Sequence, residues 1–193
     1  TDVVGLERVP GGIRVLLAGG DELEVDQVLY AIGRRPLTAD LGLQTAGVEV
    51  SPSGAVVVDE YSRTNVPGIY AIGDITDRIQ LTPVAIHEGM ALTATLFDDR
   101  PTPVDHADVP SAVFSQPSIG SVGQTEEEAR QDGGAVEIFR SRFRALKHTL
   151  TGSDETMMMK LIVDAASRRV VGLHVLGPDA GEIVQGFAVA IKA

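Results

Sequence analysis

The sequence contains no cysteine. Without it, this chain has no structural disulfide, cysteine-ligated zinc, CxxC redox pair or cysteine nucleophile of its own. Lysine and arginine number 16 against 27 aspartates and glutamates, a formal net charge of −11, which is a poor match for nucleic acid or an anionic membrane. No apolar run approaches the ~20 residues of a membrane span, and no signal-like segment opens the chain. We therefore expect a cytoplasmic protein without nucleic-acid or membrane partners.

Common nucleotide and metal motifs are also missing. The sequence has no GxGxxG, no phosphate-binding GxxxxGK[ST] and no HExxH. Its four histidines form no metal-ligand spacing, so no metal site is predicted. The one basic stretch interleaved with aromatic residues, 139–148, would place Arg140, Arg142 and Arg144 on one face of a strand. In so acidic a chain, we interpret this face as solvated surface rather than a nucleic-acid site.

The first block of the chain, residues 1–34, is rich in short β-type runs. Pro-Gly-Gly and Gly-Gly-Asp turns between these runs predict an antiparallel meander. Residues 27–33 are more continuously apolar, which is typical of a strand buried on both faces.

The second block, residues 35–107, mixes strand and helix signals. Short apolar runs predict buried strands at 56–58 and 68–73. A helix is predicted over 82–97, with Thr82 as its N-cap and a proline in its first turn.

The third block, residues 108–193, alternates strands and helices. The sequence Thr125-Glu126-Glu127-Glu128 has the pattern of a capping box at a helix start. Apolar residues at helical spacing predict a closing helix over 182–193. Apolar runs predict strands at four places: residues 111–114, 119–123, 157–163 and 169–176.

The strongest functional signal is the segment Thr64–Asp74. A buried strand ending in Gly73-Asp74 would present a carboxylate where ligands bind in open α/β sheets. The glycine permits close approach to the backbone, and the aspartate can accept hydrogen bonds from sugar-type hydroxyls. The helix start at Leu81-Thr82-Pro83 offers free N–H groups to an electron-rich acceptor. From the residues alone, a turn aspartate followed by an ordinary capped helix explains the pattern equally well.

The segment Thr64–Asp74, followed by Leu81-Thr82-Pro83-Val84-Ala85, resembles the second flavin-binding motif of the pyridine-nucleotide disulfide oxidoreductases. Residues 30–36 are similar to the turn where that family's nicotinamide-nucleotide domain returns to the flavin domain. Residues 110–123 and 182–188 resemble its interface domain. The resemblance covers essentially the whole chain.

The resemblance implies an α/β chain with three parts. Residues 1–34 would be the end of the NAD(P)H-binding domain. Residues 35–107 would be the C-terminal part of the FAD-binding domain. Residues 108–193 would be a truncated α+β interface domain with an antiparallel sheet, through which the protein forms a homodimer.

The resemblance also implies cofactor contacts. Asp74 would hydrogen-bond the flavin ribityl chain, and N–H groups around Leu81 and Thr82 would face the pyrimidine end of the isoalloxazine. Gly33 would lie near NADPH, and Ala112 would offer its backbone to the nicotinamide. The implied FAD-binding residues are Gly73, Asp74, Leu81, Thr82, Pro83 and Ala85.

An activity follows from the same resemblance. Within the family, residues 143–152 are most similar to glutathione reductases of the bacterial and plant type, which implies NADPH-dependent reduction of glutathione disulfide through FAD and a redox cysteine pair. The family's cysteine pair, first flavin motif and Rossmann unit lie upstream of these motifs, and its His-Glu acid/base pair lies downstream. We therefore expect a C-terminal fragment of a flavoprotein, inactive alone and without catalytic residues.

Alternatives stay open at this point. The chain as it stands can be a non-catalytic dimerisation module, or its parent can act on another disulfide, as trypanothione, dihydrolipoamide or mercuric reductases do. Met90 stands where some glutathione reductases carry a glutathione-holding arginine, and Leu37 where the family often has asparagine. The sequence does not distinguish NADPH from NADH, because the residues that read the 2′-phosphate belong to the Rossmann unit. It also leaves open whether this chain alone retains FAD.

Overall fold

The computed structural model describes residues 2–131 and 133–193. The chain divides into two compact units, the first ending at Leu92 and the second beginning at Thr93. No helix within the described ranges combines the length and apolarity needed to cross a membrane.

The first unit opens with a three-stranded antiparallel sheet. Its strands are β1 (Val3–Val9), β2 (Gly12–Leu17) and β3 (Glu22–Val25), in spatial order β1-β2-β3. Gly11 and Gly20 occupy the two turns with φ of 94° and 87°, backbone angles that favour glycine. The predicted meander is confirmed.

Residues 27–33 form no strand, so that prediction was wrong. Their backbone is irregular, and Leu29 and Ile32 are each 89% exposed. A strand buried on both faces needs neighbouring strands and covering elements, and neither sheet of the described chain includes this segment. An apolar run alone does not supply those partners.

The predicted strands at 56–58 and 68–73 are not regular strands either. Val56 and Tyr70 each form one isolated bridge. The backbone is satisfied by loops instead of a ladder; the Val56 N–H, for example, donates to the Ile75 carbonyl at 3.0 Å. These short apolar runs therefore form isolated bridges and loop hydrogen bonds instead of pairing in a sheet.

Three helical elements complete this part of the chain: α1 (Leu43–Ala46), a 3₁₀ helix (Gly73–Thr76) and α2 (Thr82–Phe97). The prediction of a helix over 82–97 is confirmed with the same bounds. Helix α2 runs from the first unit into the second. Its buried residues Val84, Ala91 and Ala94 recur at helical spacing.

The second unit is built on a five-stranded antiparallel sheet. The strand order is β4-β5-β8-β7-β6, and the predicted pairing of the last two strands across the 164–168 turn is confirmed. The helices are α3 (Glu126–Gln131), α4 (Lys147–Thr151) and α5 (Ala180–Lys192). The strands are β4 (Ser111–Val113), β5 (Ile119–Gly123), β6 (Val136–Arg144), β7 (Thr156–Asp164) and β8 (Val170–Leu176).

Helix α5 packs against this sheet and forms the core of the second unit. Val122, Val175 and Val184 are almost fully buried at this contact. A Cβ at Gly120 would collide with the carbonyl oxygen of Ala180, so glycine permits the close approach of the helix to the strand.

The capping box at α3 is confirmed. The Thr125 N–H donates to Glu128 Oε2 at 2.8 Å, and the Glu128 N–H donates to Thr125 Oγ1 at 3.2 Å. The hydrogen bond from the Thr125 N–H stabilises the carboxylate and lowers the pKa of Glu128.

Candidate functional site

All the residues expected to contact a flavin lie within residues 73–85 of the first unit. This stretch comprises the 3₁₀ helix, a short connection and the first turn of α2. Gly33 belongs to the same unit, whereas Ala112 belongs to the second.

The 3₁₀ helix begins at Gly73, a buried residue with φ of 72°. A Cβ at this position would lie 3.2 Å from the Cβ of Ala85, so the turn packs closely on the first turn of α2. Thr76 Oγ1 donates to the Gly73 carbonyl at 2.8 Å and closes the turn. Glycine is therefore required both by the backbone angle and by the contact with the helix.

Asp74 presents its carboxylate from this turn rather than from the end of a strand. Its side chain is 50% exposed, and Oδ2 lies 3.6 Å from Nη1 of Arg34, which is 77% exposed. An ion pair this open to water is weak. The carboxylate thus keeps the capacity to accept hydrogen bonds from a ligand hydroxyl.

The N-cap of α2 differs from the prediction, although the bounds of the helix do not. The Leu81 carbonyl accepts the first intrahelical hydrogen bond, from the Ala85 N–H at 3.1 Å, so Leu81 occupies the N-cap position and Thr82 is the first helical residue. The prediction of Thr82 as N-cap was wrong. Leu81 has no side-chain acceptor to act as a cap, and its own N–H donates to the Ile79 carbonyl at 2.9 Å.

This helix start leaves backbone donors open. Among the described residues, neither the Thr82 N–H nor the Val84 N–H has a hydrogen-bond acceptor, and Pro83 between them has no N–H. The unpaired donors lie at the positive end of a 16-residue helix. They can bind an electron-rich atom, and they lie next to the turn that carries Asp74.

Glu88 contacts the turn that carries Asp74, a contact that the sequence reasoning missed. Its side chain is only 1% exposed, and Oε2 accepts a hydrogen bond from the Gly73 N–H at 2.5 Å. Oε1 lies 2.9 Å from Nη2 of Arg78. One signal was available, because Glu88 falls at helical spacing between Val84 and Ala91, in the middle of the buried stripe.

Arg78 extends this contact to the rest of the turn. Its Nε donates to Thr76 Oγ1 at 3.3 Å, and its Nη2 reaches Ser62 Oγ at 3.5 Å. Ser62 is itself buried. The guanidinium therefore connects the end of the 3₁₀ helix to a second loop and to the helix that carries Glu88.

The two residues expected near NADPH have simpler surroundings. Gly33 is exposed, has φ of 124° and has open space where a Cβ would lie. Ala112 lies in β4, an edge strand, opposite Gly120 of β5. Their roles stay predictions. In residues 2–131 and 133–193, no group of three or more acidic or histidine side chains is placed to hold a metal ion.

Comparison with known proteins adds family information to this geometry. The profile of the pyridine nucleotide-disulphide oxidoreductases matches residues 1–89. The profile of the pyridine nucleotide-disulphide oxidoreductase dimerisation domain matches residues 109–193. The two profiles thus follow one another along almost the whole chain.

Individual relatives agree with these profiles. A glutathione reductase of Burkholderia cepacia is 53% identical over 192 residues, covering 100% of this chain and 43% of that protein. A trypanothione reductase of Trypanosoma congolense is 48% identical, covering 97% of this chain and 38% of that protein. The solved structure of the HOCl-induced flavoprotein disulfide reductase RclA from Escherichia coli matches with a TM-score of 0.87 at 29% identity, covering 98% of this chain and 44% of that one. The chain spans less than half the length of each.

Proposed function

Because the chain belongs to the pyridine nucleotide-disulphide oxidoreductases, we propose that it is part of a longer FAD-dependent, NADPH-linked reductase of glutathione disulfide. One observation carries the flavin assignment. The exposed Asp74 carboxylate lies in a turn packed on the start of α2, whose first N–H groups are open. An acceptor for sugar-type hydroxyls beside donors for an electron-rich ring is the pair of functions that a flavin requires.

The residues present fit FAD. Asp74 would hold the ribityl hydroxyls, and Gly73 permits the turn that presents it. The N–H group of the exposed Thr82 would orient the pyrimidine edge of the flavin. Negative charge on that edge is favoured by the positive end of the helix. When bound, FAD supplies two-electron transfer between a nicotinamide and a disulfide. Gly33 and Ala112 would lie beside NADPH, as the family resemblance implies.

The choice of glutathione is supported by two glutathione reductases that are 53% and 51% identical. A trypanothione reductase is 48% identical and a further glutathione reductase 44%. Met90 introduces a difference that bears on the substrate. Met90 is 67% exposed on α2. By the family resemblance, some glutathione reductases carry an arginine at this position. We propose that the longer protein still accepts glutathione disulfide.

The substrate test uses the longer protein that carries this chain. We expect glutathione disulfide to accelerate NADPH oxidation well above the rate without a disulfide, and trypanothione disulfide and lipoamide to be poorer substrates. Steady-state NADPH absorbance measures all three. Acceleration by another disulfide with none by glutathione disulfide would refute the substrate assignment, whereas a purified protein without flavin absorbance would refute the cofactor assignment.

A second function is proposed for the chain as it stands: a dimerisation module without catalysis. The dimerisation profile covers residues 109–193. Helix α5 in this region leaves Phe187 55% exposed and Val189 68% exposed. Each is a large apolar side chain that association can bury, although residues two apart lie on different sides of a helix. We expect this chain alone to be colourless and inactive, and absorbance spectroscopy of the purified chain measures the first property directly.

A further inference from the structure

Glu88 is a carboxylate buried in a place where an apolar side chain would pack. It lies one turn after Val84 and one turn before Ala91 on the buried stripe of α2. Burying a charge is unfavourable unless the charge is paired and hydrogen-bonded. The contacts of the Glu88 carboxylate must therefore offset a cost of burial that leucine or alanine would not have.

Two of the groups that Glu88 binds indicate its role. Its carboxylate accepts the Gly73 N–H through one oxygen and pairs with Arg78 through the other. Gly73 begins the 3₁₀ helix, and Arg78 stands just after its end. A single carboxylate thus holds both ends of the turn that exposes Asp74.

We infer that Glu88 is a positioning residue for the flavin site, clamping the Gly73–Asp77 turn so that Asp74 is held beside the start of α2. This inference rests on the proposed function for its ligand. The hydrogen bond from Gly73 explains why Glu88 would matter. Gly73 has a left-handed backbone with its N–H directed into the protein, where an unpaired donor is costly. Without Glu88 the turn must rotate to bring that N–H to water, and Asp74, the next residue, moves with it.

Two variants separate the hydrogen bond from the charge. Glu88→Gln keeps an acceptor oxygen for Gly73 and removes the charge. The double variant Glu88→Leu/Arg78→Leu removes the acceptor together with its counter-charge, so that no unpaired charge is left in the interior. Glu60→Gln, in an exposed turn of the same unit, is the matched control.

Hydrogen exchange in this 193-residue chain tests the clamp without any cofactor. We expect the Gly73 amide to exchange about tenfold faster, or more, in the double variant, and by a smaller factor in Glu88→Gln. The amide of Ala91 inside α2 reports whether the helix stays folded, and it should stay within about twofold of the parent chain. Glu60→Gln should change neither amide.

FAD retention by the longer protein tests the consequence. We expect the FAD dissociation constant to increase in the order parent, Glu88→Gln, double variant, with Glu60→Gln equal to the parent. A folded double variant with parental Gly73 exchange, or with parental FAD affinity, would overturn the inference. If the double variant does not fold, an unchanged Glu88→Gln overturns it. A parent protein that binds no FAD would refute the proposed function, while Gly73 exchange would still decide whether Glu88 clamps the turn.

Discussion

At the scale of single residues, the turn that carries Asp74 begins with one glycine and contacts one buried acid. Gly73 was predicted because a glycine before an aspartate suits close approach of a ligand. The structure adds a second reason, because a Cβ at position 73 would lie only 3.2 Å from the Cβ of Ala85. Glu88 was not predicted as a site residue, because its role depends on Gly73 and Arg78, which reach it only through the fold.

Replacing Gly73 by alanine tests the packing of the turn on α2. Alanine would have to adopt φ of 72° and press against Ala85, so we expect Gly73→Ala to destabilise the first unit by more than the ~1–2 kcal/mol of a left-handed alanine alone. Gly68→Ala is the matched control, since Gly68 has φ of 84° but open space around its Cβ position. Urea unfolding measures the free energy of unfolding of both variants. If Gly73→Ala and Gly68→Ala lost the same amount, the contact with Ala85 would contribute nothing to stability.

At the scale of elements, the start of α3 and the hairpins were the most predictable features. The capping box at Thr125 and the pairing of β7 with β8 follow from residues close together in the chain. Helix α3 is also held from outside its own sequence, because Glu126 Oε2 lies 2.7 Å from Nζ of Lys160 on β7. That contact joins α3 to the sheet and could not be read from spacing.

The Glu126 contact predicts a pH dependence. Hydrogen bonds from Lys160 and then Arg130 lower the pKa of Glu126 from 4.5 to about 2. A carboxyl whose pKa is lower in the folded state contributes stability that is present above about pH 4.5 and is lost as the pH falls toward about 2. We therefore expect Glu126→Gln to destabilise the second unit at neutral pH, and the difference from the parent chain to shrink as the pH falls through this window.

Urea unfolding midpoints, recorded at several pH values, measure this difference. Glu127→Gln, the next residue on α3, is the matched control, since its carboxylate accepts a long 3.3 Å hydrogen bond from Gln131 on the same helix. The difference in unfolding midpoint between Glu126→Gln and the parent chain should also decrease at high salt, because the Glu126–Lys160 pair is partly exposed. A difference that stays constant from neutral pH to about pH 2 would contradict the assignment of the stabilisation to the carboxylate.

At the scale of the whole molecule, the second unit carries the features expected of an association surface. Exposed apolar side chains on α5 lie in the region matched by the dimerisation profile. We expect the chain to dimerise through this region. Phe187→Glu and Val189→Glu should then shift it to monomer at concentrations where the parent is a dimer, because a charge would be buried at the interface.

Sedimentation velocity measures this shift. Leu23→Glu is the matched control, because Leu23 is 53% exposed but lies in the first unit, outside the dimerisation profile. It should leave the dimer intact. The proposed dimerisation module would be contradicted by a parent chain that stays monomeric at high concentration. It would also be contradicted by α5 variants that dimerise like the parent.

The sequence by itself determined the features that depend on neighbours in the chain: the β1–β3 meander, the bounds of α2, the capping box of α3 and the β7–β8 hairpin. Each arises from turn residues, caps or periodicity within a few residues of one another. Only the tertiary structure decided that the apolar residues 27–33 stay exposed and unpaired and that residues 68–73 lead into a 3₁₀ turn rather than a sheet. It also revealed that a buried glutamate accepts the Gly73 N–H and pairs with Arg78. Strand pairing and the burial of a charge require partners far away in sequence, and local patterns do not contain them.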